Sequence, residues 1–170
     1  EIQLKIIEAH KAAIGSDQFA QMQLSEGKIG EVVVTGNHVN KNYYKNPAAF
    51  QQAKIVDIEG EIWHRTGDLG YLENGHLFLV GRDHRIIQRD NTAYYPYGLE
   101  QHIQLKFNVK DVGYIQKDDR ILFYVSDKSD TTAIYNEIKA VGYPIDAVVQ
   151  TTKPLPRDAR HKSKLQVEQL

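Results

Sequence analysis

Asp68 and Arg82 lie in the stretch WHRTGDLGYLENGHLFLVGR, residues 63–82, in which polar groups interrupt two apolar runs. An aspartate directly after Gly67, at the end of a strand-like run, can accept two hydrogen bonds from a vicinal diol such as that of a ribose. An arginine at the end of the next run can reach the same diol, or a phosphate, through its planar fork. Thr66 and Gly67 complete the polar knot. A plainer reading stands beside this one: Thr66-Gly67-Asp68 as a turn held by its own side chains, with Arg82 merely solvated. The C-terminal stretch TTKPLPRDARHKSKLQVEQL holds a second possibility. Pro154 and Pro156 fix φ and keep the chain extended, and five Lys and Arg residues lie between Lys153 and Lys164. A lysine delivered by such an arm is a compact charge suited to a phosphate or a reacting carboxylate. The plainer reading is a basic terminal arm.

Several chemistries have no residues to run on. The seven histidines never fall at HxH or HxxxH spacing, so no metal site is expected. There is no G-x-S-x-G nucleophile elbow and no glycine-rich phosphate loop. Without cysteine there is no disulfide and no thiolate, which suits a cytoplasmic protein. With 170 residues, 41% hydrophobic and 25% charged, and a formal charge of −1, the chain reads as globular. It lacks the basic excess of a dedicated nucleic-acid or membrane-surface protein. No apolar run approaches the roughly 18 residues of a membrane span. The chain opens on Glu1 rather than Met, which reads as a piece of a longer protein.

The elements that must position these residues change character near Arg82. Before it the pattern is β: EIQLKIIEA, GKIGEVVVTG and IVDIEGEIWHRTGD carry strand-like alternation or β-branched runs. GYLENGHLFLVGR, with Asn74-Gly75 between its arms, predicts a hairpin. The Asn- and Lys-rich NHVNKNYYKNPAAFQQA predicts a long loop with a short helix after Pro47. Beyond Arg82, Leu99, Ile103 and Phe107 recur at helical spacing. DVGYIQKDDRILFYVSD predicts a second hairpin. A helix follows, with Asp130 as N-cap, Ile134, Ile138 and Val141 inward and Gly142 as its stop. DAVVQTT closes the pattern as a strand. The fold class is therefore α+β, in two pieces, 1–82 and 83–170.

In order and spacing, GEVVVTGNHVNKNYYKNP, WHRTGDLGYL, GHLFLVGR, YPYGLE and PLPRDARHKSKL resemble the C-terminal part of the adenylate-forming enzymes. These are the acyl-CoA synthetases, the adenylation domains of peptide synthetases and the luciferases. The resemblance covers residues 30–165. It implies that residues 1–82 are the β-rich end of a large domain, a distorted barrel subdomain, and that 83–170 are a small α+β lid. It implies that Asp68 holds the ribose hydroxyls of ATP and of the acyl-AMP, with Arg82 on the ribose and phosphate side and Thr66 and Gly67 in the same nucleotide-binding motif. It implies a hinge at Asp83 and His84, about which the lid swings between half-reactions. A lysine near the C-terminus bridges carboxylate and α-phosphate. Counting from Leu155-Pro156 makes it Lys162, and the apolar residue that follows favours Lys164. ATP, AMP and Mg2+ are implied as nucleotide and metal, and a carboxylic acid as substrate.

The departures bear on the acceptor. Where the family carries Gly in its K-x-x-G turn, letting pantetheine pass, this chain reads Gln88-Arg89-Asp90-Asn91. CoA or a carrier-protein pantetheine therefore stays an open acceptor. The R-H-x-x-K tail and the hinge are similar to the olefin-pathway β-lactone synthetases, which close a β-hydroxy acid on itself without CoA. The family's phosphate loop and acyl pocket lie upstream of these motifs, so the stretch alone is expected to be inactive. A different class remains open: a non-catalytic module in which the basic tail and Tyr94-Tyr95-Pro96-Tyr97 hold a partner protein or RNA.

Overall fold

A computed structural model describes residues 2–126, 128–158 and 165–170. The chain divides into two compact units, Glu1–His84 and Arg85–Leu170. The expected seam followed Arg82; the observed boundary follows His84.

The first unit is an antiparallel sheet of five strands: β1 (Gln3–Ile7), β2 (Gly30–Thr35), β3 (Lys54–Val56), β4 (Ile62–Glu73) and β5 (His76–Arg82). They lie in the order β1-β2-β4-β3, with β5 also on β4. β4 is long enough to pair β3 through its first residues and β5 through its last. That division explains why the expected barrel does not form among the described residues. One edge of β4 serves two short partners, and nothing joins β1 to β3 or β5. A barrel needs a continuous staggered ring of strands, and the sheet here is open.

One face of this sheet buries Ile7, Val33, Ile55 and Trp63, covered by Ile14, Phe19 and Met22. Phe19 belongs to a helix that sequence periodicity did not reveal, α1 (Ser16–Gln21), and its ring tilts against Trp63 with centroids 5.6 Å apart. Burying each such side chain contributes about 1.5–3 kcal/mol. The helix after Pro47 is present as α2 (Pro47–Ala53). Pro47 occupies a first-turn position that needs no amide donor, and the Asn46 side chain accepts from the Ala49 amide.

The second unit is a two-layer α+β arrangement. A small hairpin, β6 (Ile87–Arg89) and β7 (Thr92–Tyr94), leads into α3 (Pro96–Phe107). β8 (Val112–Lys117) and β9 (Arg120–Val125) form the second expected hairpin; α4 (Thr131–Ala140) then crosses to β10 (Ala147–Gln150), which pairs parallel to β9. Asp130 caps α4, its carboxylate accepting from the amides of Thr132 and Ala133 at 3.0 Å each. Alternation along β8 and β9 builds two cores. Tyr114, Ile121, Phe123 and Val125 face Leu99, Ile103, Ile134 and Ile138 of the helices. Ile115, Leu122 and Tyr124 face the other way and are covered by Leu155 and Leu165 of the C-terminal stretch. Val141, expected inward, is 42% exposed, because α4 ends at Ala140 and the next residue leaves the helical stripe. Among the described residues no helix is long and apolar enough to cross a membrane.

Candidate nucleotide-contacting site

Asn74 and Gly75, at φ 50° and 75°, form the tight turn that joins β4 to β5. From that turn the pairing runs back through Glu73↔His76 to Asp68↔Arg82, with a register shift between Leu69 and Gly70 that leaves Val80 as the extra residue. Without that bulge Asp68 would not face Arg82. Here Arg82 Nη2 lies 2.9 Å from Asp68 Oδ1, with the two side chains 19% and 26% exposed. Held together yet open to solvent, the pair keeps donors and acceptor capacity to spare: a carboxylate offers about four lone-pair sites and a guanidinium five N–H groups.

The knot around Asp68 is built by local chemistry. Thr66 Oγ1 donates to the Val32 carbonyl at 2.8 Å and accepts from the Asp68 amide at 3.0 Å. Gly67 between them adopts φ +68°, and a Cβ there would meet nothing within 4 Å. Backbone conformation, not space, is what calls for glycine at this position. The plainer reading holds only in part: Thr66 does stabilise the stretch locally, but Thr66-Gly67-Asp68 lies within β4 rather than in a turn between strands, and Arg82 is paired with Asp68 rather than merely solvated.

Arg65, in the same knot, does something different. Its Nε and Nη2 donate to Glu31, Nη2 to Oε2 at 2.7 Å, with side chains 9% and 3% exposed. Its remaining donors reach the Ala12 carbonyl at 2.9 Å and the His10 carbonyl. Arg65 therefore fastens the segment around residues 10–12 to the sheet and takes no part in the exposed pair. Sequence reading missed the Arg65–Glu31 pair; its signal was only a charged residue within otherwise apolar strands. His64, next to it, is half-buried, and burial first, then nearby Lys54, holds its pKa below the ordinary value, against the opposing pull of the Ala53 carbonyl and Glu31.

Asp83 and His84 lie in the short 3-10 turn that ends the first unit, His84 Nδ1 3.6 Å from Asp83 Oδ1, both well exposed. Arg85 opens the second unit and is buried, with Nη2 donating to Glu100 at 2.5 Å and to the Tyr114 carbonyl at 3.1 Å. Glu100 also accepts the Tyr114 amide, so this helix acid is a structural anchor. In the β6–β7 turn both Asp90 (φ 52°) and Asn91 (φ 59°) are left-handed, so Asn91 keeps the backbone of a glycine while adding a side chain. Tyr94 packs on Tyr143 and on the helix-side core, and Tyr95 is half-buried, its phenol pushed above its usual pKa by burial. Lys162 and Lys164 lie outside the described residues.

A hollow of about 600 Å³ in the first unit, bordered by Lys5, Phe19, Asp57, Glu61 and Trp63, does not include Asp68 or Arg82. The geometry of the exposed pair, rather than cavity size, marks the site. Among the described residues no three His, Cys, Asp or Glu side chains gather to cage a metal.

No family model matches the chain. It is 32% identical over 111 residues to 4-hydroxyphenylalkanoate adenylyltransferase of Mycobacterium tuberculosis, covering 61% of this chain and 18% of that protein. It is 40% identical over 86 residues to long-chain-fatty-acid–AMP ligase FadD26 of the same organism, covering 46% of this chain and 15% of the ligase. The fold is that of the corresponding region of O-succinylbenzoate coenzyme A synthetase from Bacillus subtilis, solved in complex with AMP. The TM-score is 0.71 at 23% identity, over 99% of this chain and 33% of that one. The chain thus spans under a fifth of the length of the curated relatives it matches.

Proposed function

From its kinship with the C-terminal portion of adenylate-forming ligases, we propose that this chain is that portion of an ATP-dependent acid–AMP ligase. A carboxylate oxygen attacks the α-phosphorus of ATP, the bond to the β-phosphate breaks, and acyl-adenylate and pyrophosphate result. The acyl group then passes to a thiol or another acceptor. Residues 1–82 close the large domain and 83–170 form the lid.

The observation that carries this reading is the partly exposed Asp68–Arg82 pair, set in register by a hairpin bulge. Asp68 accepts from the 2′- and 3′-hydroxyls of the ribose. Arg82 orients that carboxylate and turns its free N–H groups toward the ribose and phosphate side. Lys164 or Lys162 supplies the charge that offsets the negative oxygens gathering at the α-phosphate as pyrophosphate leaves. The exposed turn Asp83–His84 is the swivel between half-reactions. The side chain at Asn91 favours an acceptor other than a threaded pantetheine, with CoA or a carrier protein as the alternative. A cytoplasmic setting fits a cysteine-free chain that uses ATP.

The test is carboxylate-dependent ATP–pyrophosphate exchange by the full-length protein, with Lys164→Ala and Lys162→Ala beside wild type. Exchange lost by orders of magnitude in one variant only names the lysine. No exchange with any acid, together with salt-sensitive RNA binding, would favour the non-catalytic module instead.

A further inference from the structure

Lysine is almost never fully buried unless paired, yet Lys54 is 4% exposed. α2 closes on it, the Lys54 amide donating to the Phe50 carbonyl, and β3 begins at the same residue. The chain thus passes from helix to strand with no loop that would hold the side chain in water. Among the described residues the Lys54 ammonium makes no ion pair and no hydrogen bond. What it meets is the ring of Tyr43, with 5.6 Å from the nitrogen to the ring centroid. Lys54 also sits in register with His64 on β4, and its charge already weighs against protonation of that ring.

An ammonium so placed has lost hydration and gained no carboxylate in exchange. Burial therefore holds its pKa below the ordinary lysine value, and more of it is free amine at neutral pH than for a lysine in water. The free amine is the nucleophile. Lys54 also borders a hollow of about 480 Å³, with Ala13, Ile14, Phe50 and Val56 as apolar walls. Among the described residues the one acid on that rim is Asp57, and its carboxylate is taken by the Glu59 and Glu61 amides and the Trp63 indole. Glu31, which acts on His64, is held by Arg65. Acylation would turn the Lys54 amine into a neutral amide and remove the charge that burial penalises. At an exposed lysine the same change relieves nothing.

We propose that Lys54 is a modification site, a nucleophilic amine that takes a small acyl group from an acyl phosphate. The Nζ lone pair attacks the acyl carbon, the bond from that carbon to the phosphate oxygen breaks, and phosphate leaves with the electron pair. The proton of the amine passes to water, and an amide and inorganic phosphate result. Burial of the side chain limits the acyl group to a short one such as acetyl. The site lies within the first unit and does not depend on the acid–AMP ligase reading.

The probe is acetyl phosphate at pH 7.5, applied to the full-length protein, with acetylation at each lysine followed by peptide mass spectrometry. Lys54 is expected to be acetylated about tenfold or more faster than the exposed Lys11 and Lys28. As pH is raised from 7 to 9, the rate at Lys54 should climb less steeply than at Lys28, because more of Lys54 is already free amine. In denaturing urea the advantage should vanish. Lys54→Met keeps the length of the side chain and drops the charge, and it should unfold at or above the wild-type temperature. Acetylation of Lys54 at or below the rate of Lys28 would overturn the proposal. So would an advantage that persists in urea, which would place its origin in the local sequence. A clearly lower midpoint for Lys54→Met would overturn it as well, since the ammonium would then be held by a partner that the fold needs.

Discussion

Two ion pairs share strand β4 and lie three residues apart, yet they are built for opposite ends. Arg65 and Glu31 are sunk in the first unit, and Arg65 spends its donors on Glu31 and on backbone carbonyls. Asp68 and Arg82 are only partly buried, with one contact between them at 2.9 Å. Between them Gly67 takes a positive φ and the pairing with β5 carries a bulge; Arg65 and Glu31 are 9% and 3% exposed, Arg82 and Asp68 19% and 26%. Both pairs join an arginine to an acid. Unsatisfied capacity is what distinguishes a site from a brace.

That contrast can be broken by substitution. The largest effect should follow from Glu31→Ala, which strands a buried guanidinium: about 3–5 kcal/mol of stability lost. Trp63, the one tryptophan of the chain, lies in this unit's core and reports its urea unfolding directly. A loss under about 1 kcal/mol, the range of exposed pairs, would erase the distinction. Asp68→Ala is the mirror case. Losing charge-assisted hydrogen bonds to a diol should lower exchange activity of the full-length protein by about a hundredfold or more. Its urea midpoint should move less than that of Glu31→Ala, because the Asp68–Arg82 pair is only partly buried and keeps access to water. The smallest effect belongs to His64, whose folded-state pKa is depressed mainly by burial. Below its ordinary value of about 6.5 the unfolded chain takes up a proton that the folded chain resists, so stability is full above that pH and falls as pH drops toward the folded pKa. Trp63-monitored unfolding at pH 7.5 and 5.5 should show this acid loss, and His64→Gln should lessen it. An unchanged loss would assign the effect to other groups.

Local signals were legible in the sequence. Asn74-Gly75 announced the hairpin that carries the site, and Asp130 announced the start of α4, since each acts within a few residues. Interactions that close over long separations were not. Glu31 and Arg65 are 34 residues apart, Asp111 and Arg157 46, and nothing in either neighbourhood names the other. The expected barrel came from resemblance rather than from strand patterning, and the open sheet shows its limit: the pattern indicates strands, while closure depends on which edges remain unpaired. Ile58 shows how alternation misleads at a turn. It continued the apolar rhythm of Ile55 and Ile62 but is exposed, because Asp57 folds the chain back by accepting the Glu59 and Glu61 amides.

The central claim is that Asp68 reads the ribose diol. Its most direct test is a comparison of ATP with 2′-deoxyATP in the exchange reaction of the full-length protein, wild type against Asp68→Ala. Removing the 2′-hydroxyl is expected to cost the wild type about tenfold or more in kcat/KM and to cost the variant less than about twofold, because the partner is already gone. Equal discrimination by both proteins would contradict the claim and place the reading of the diol on another residue.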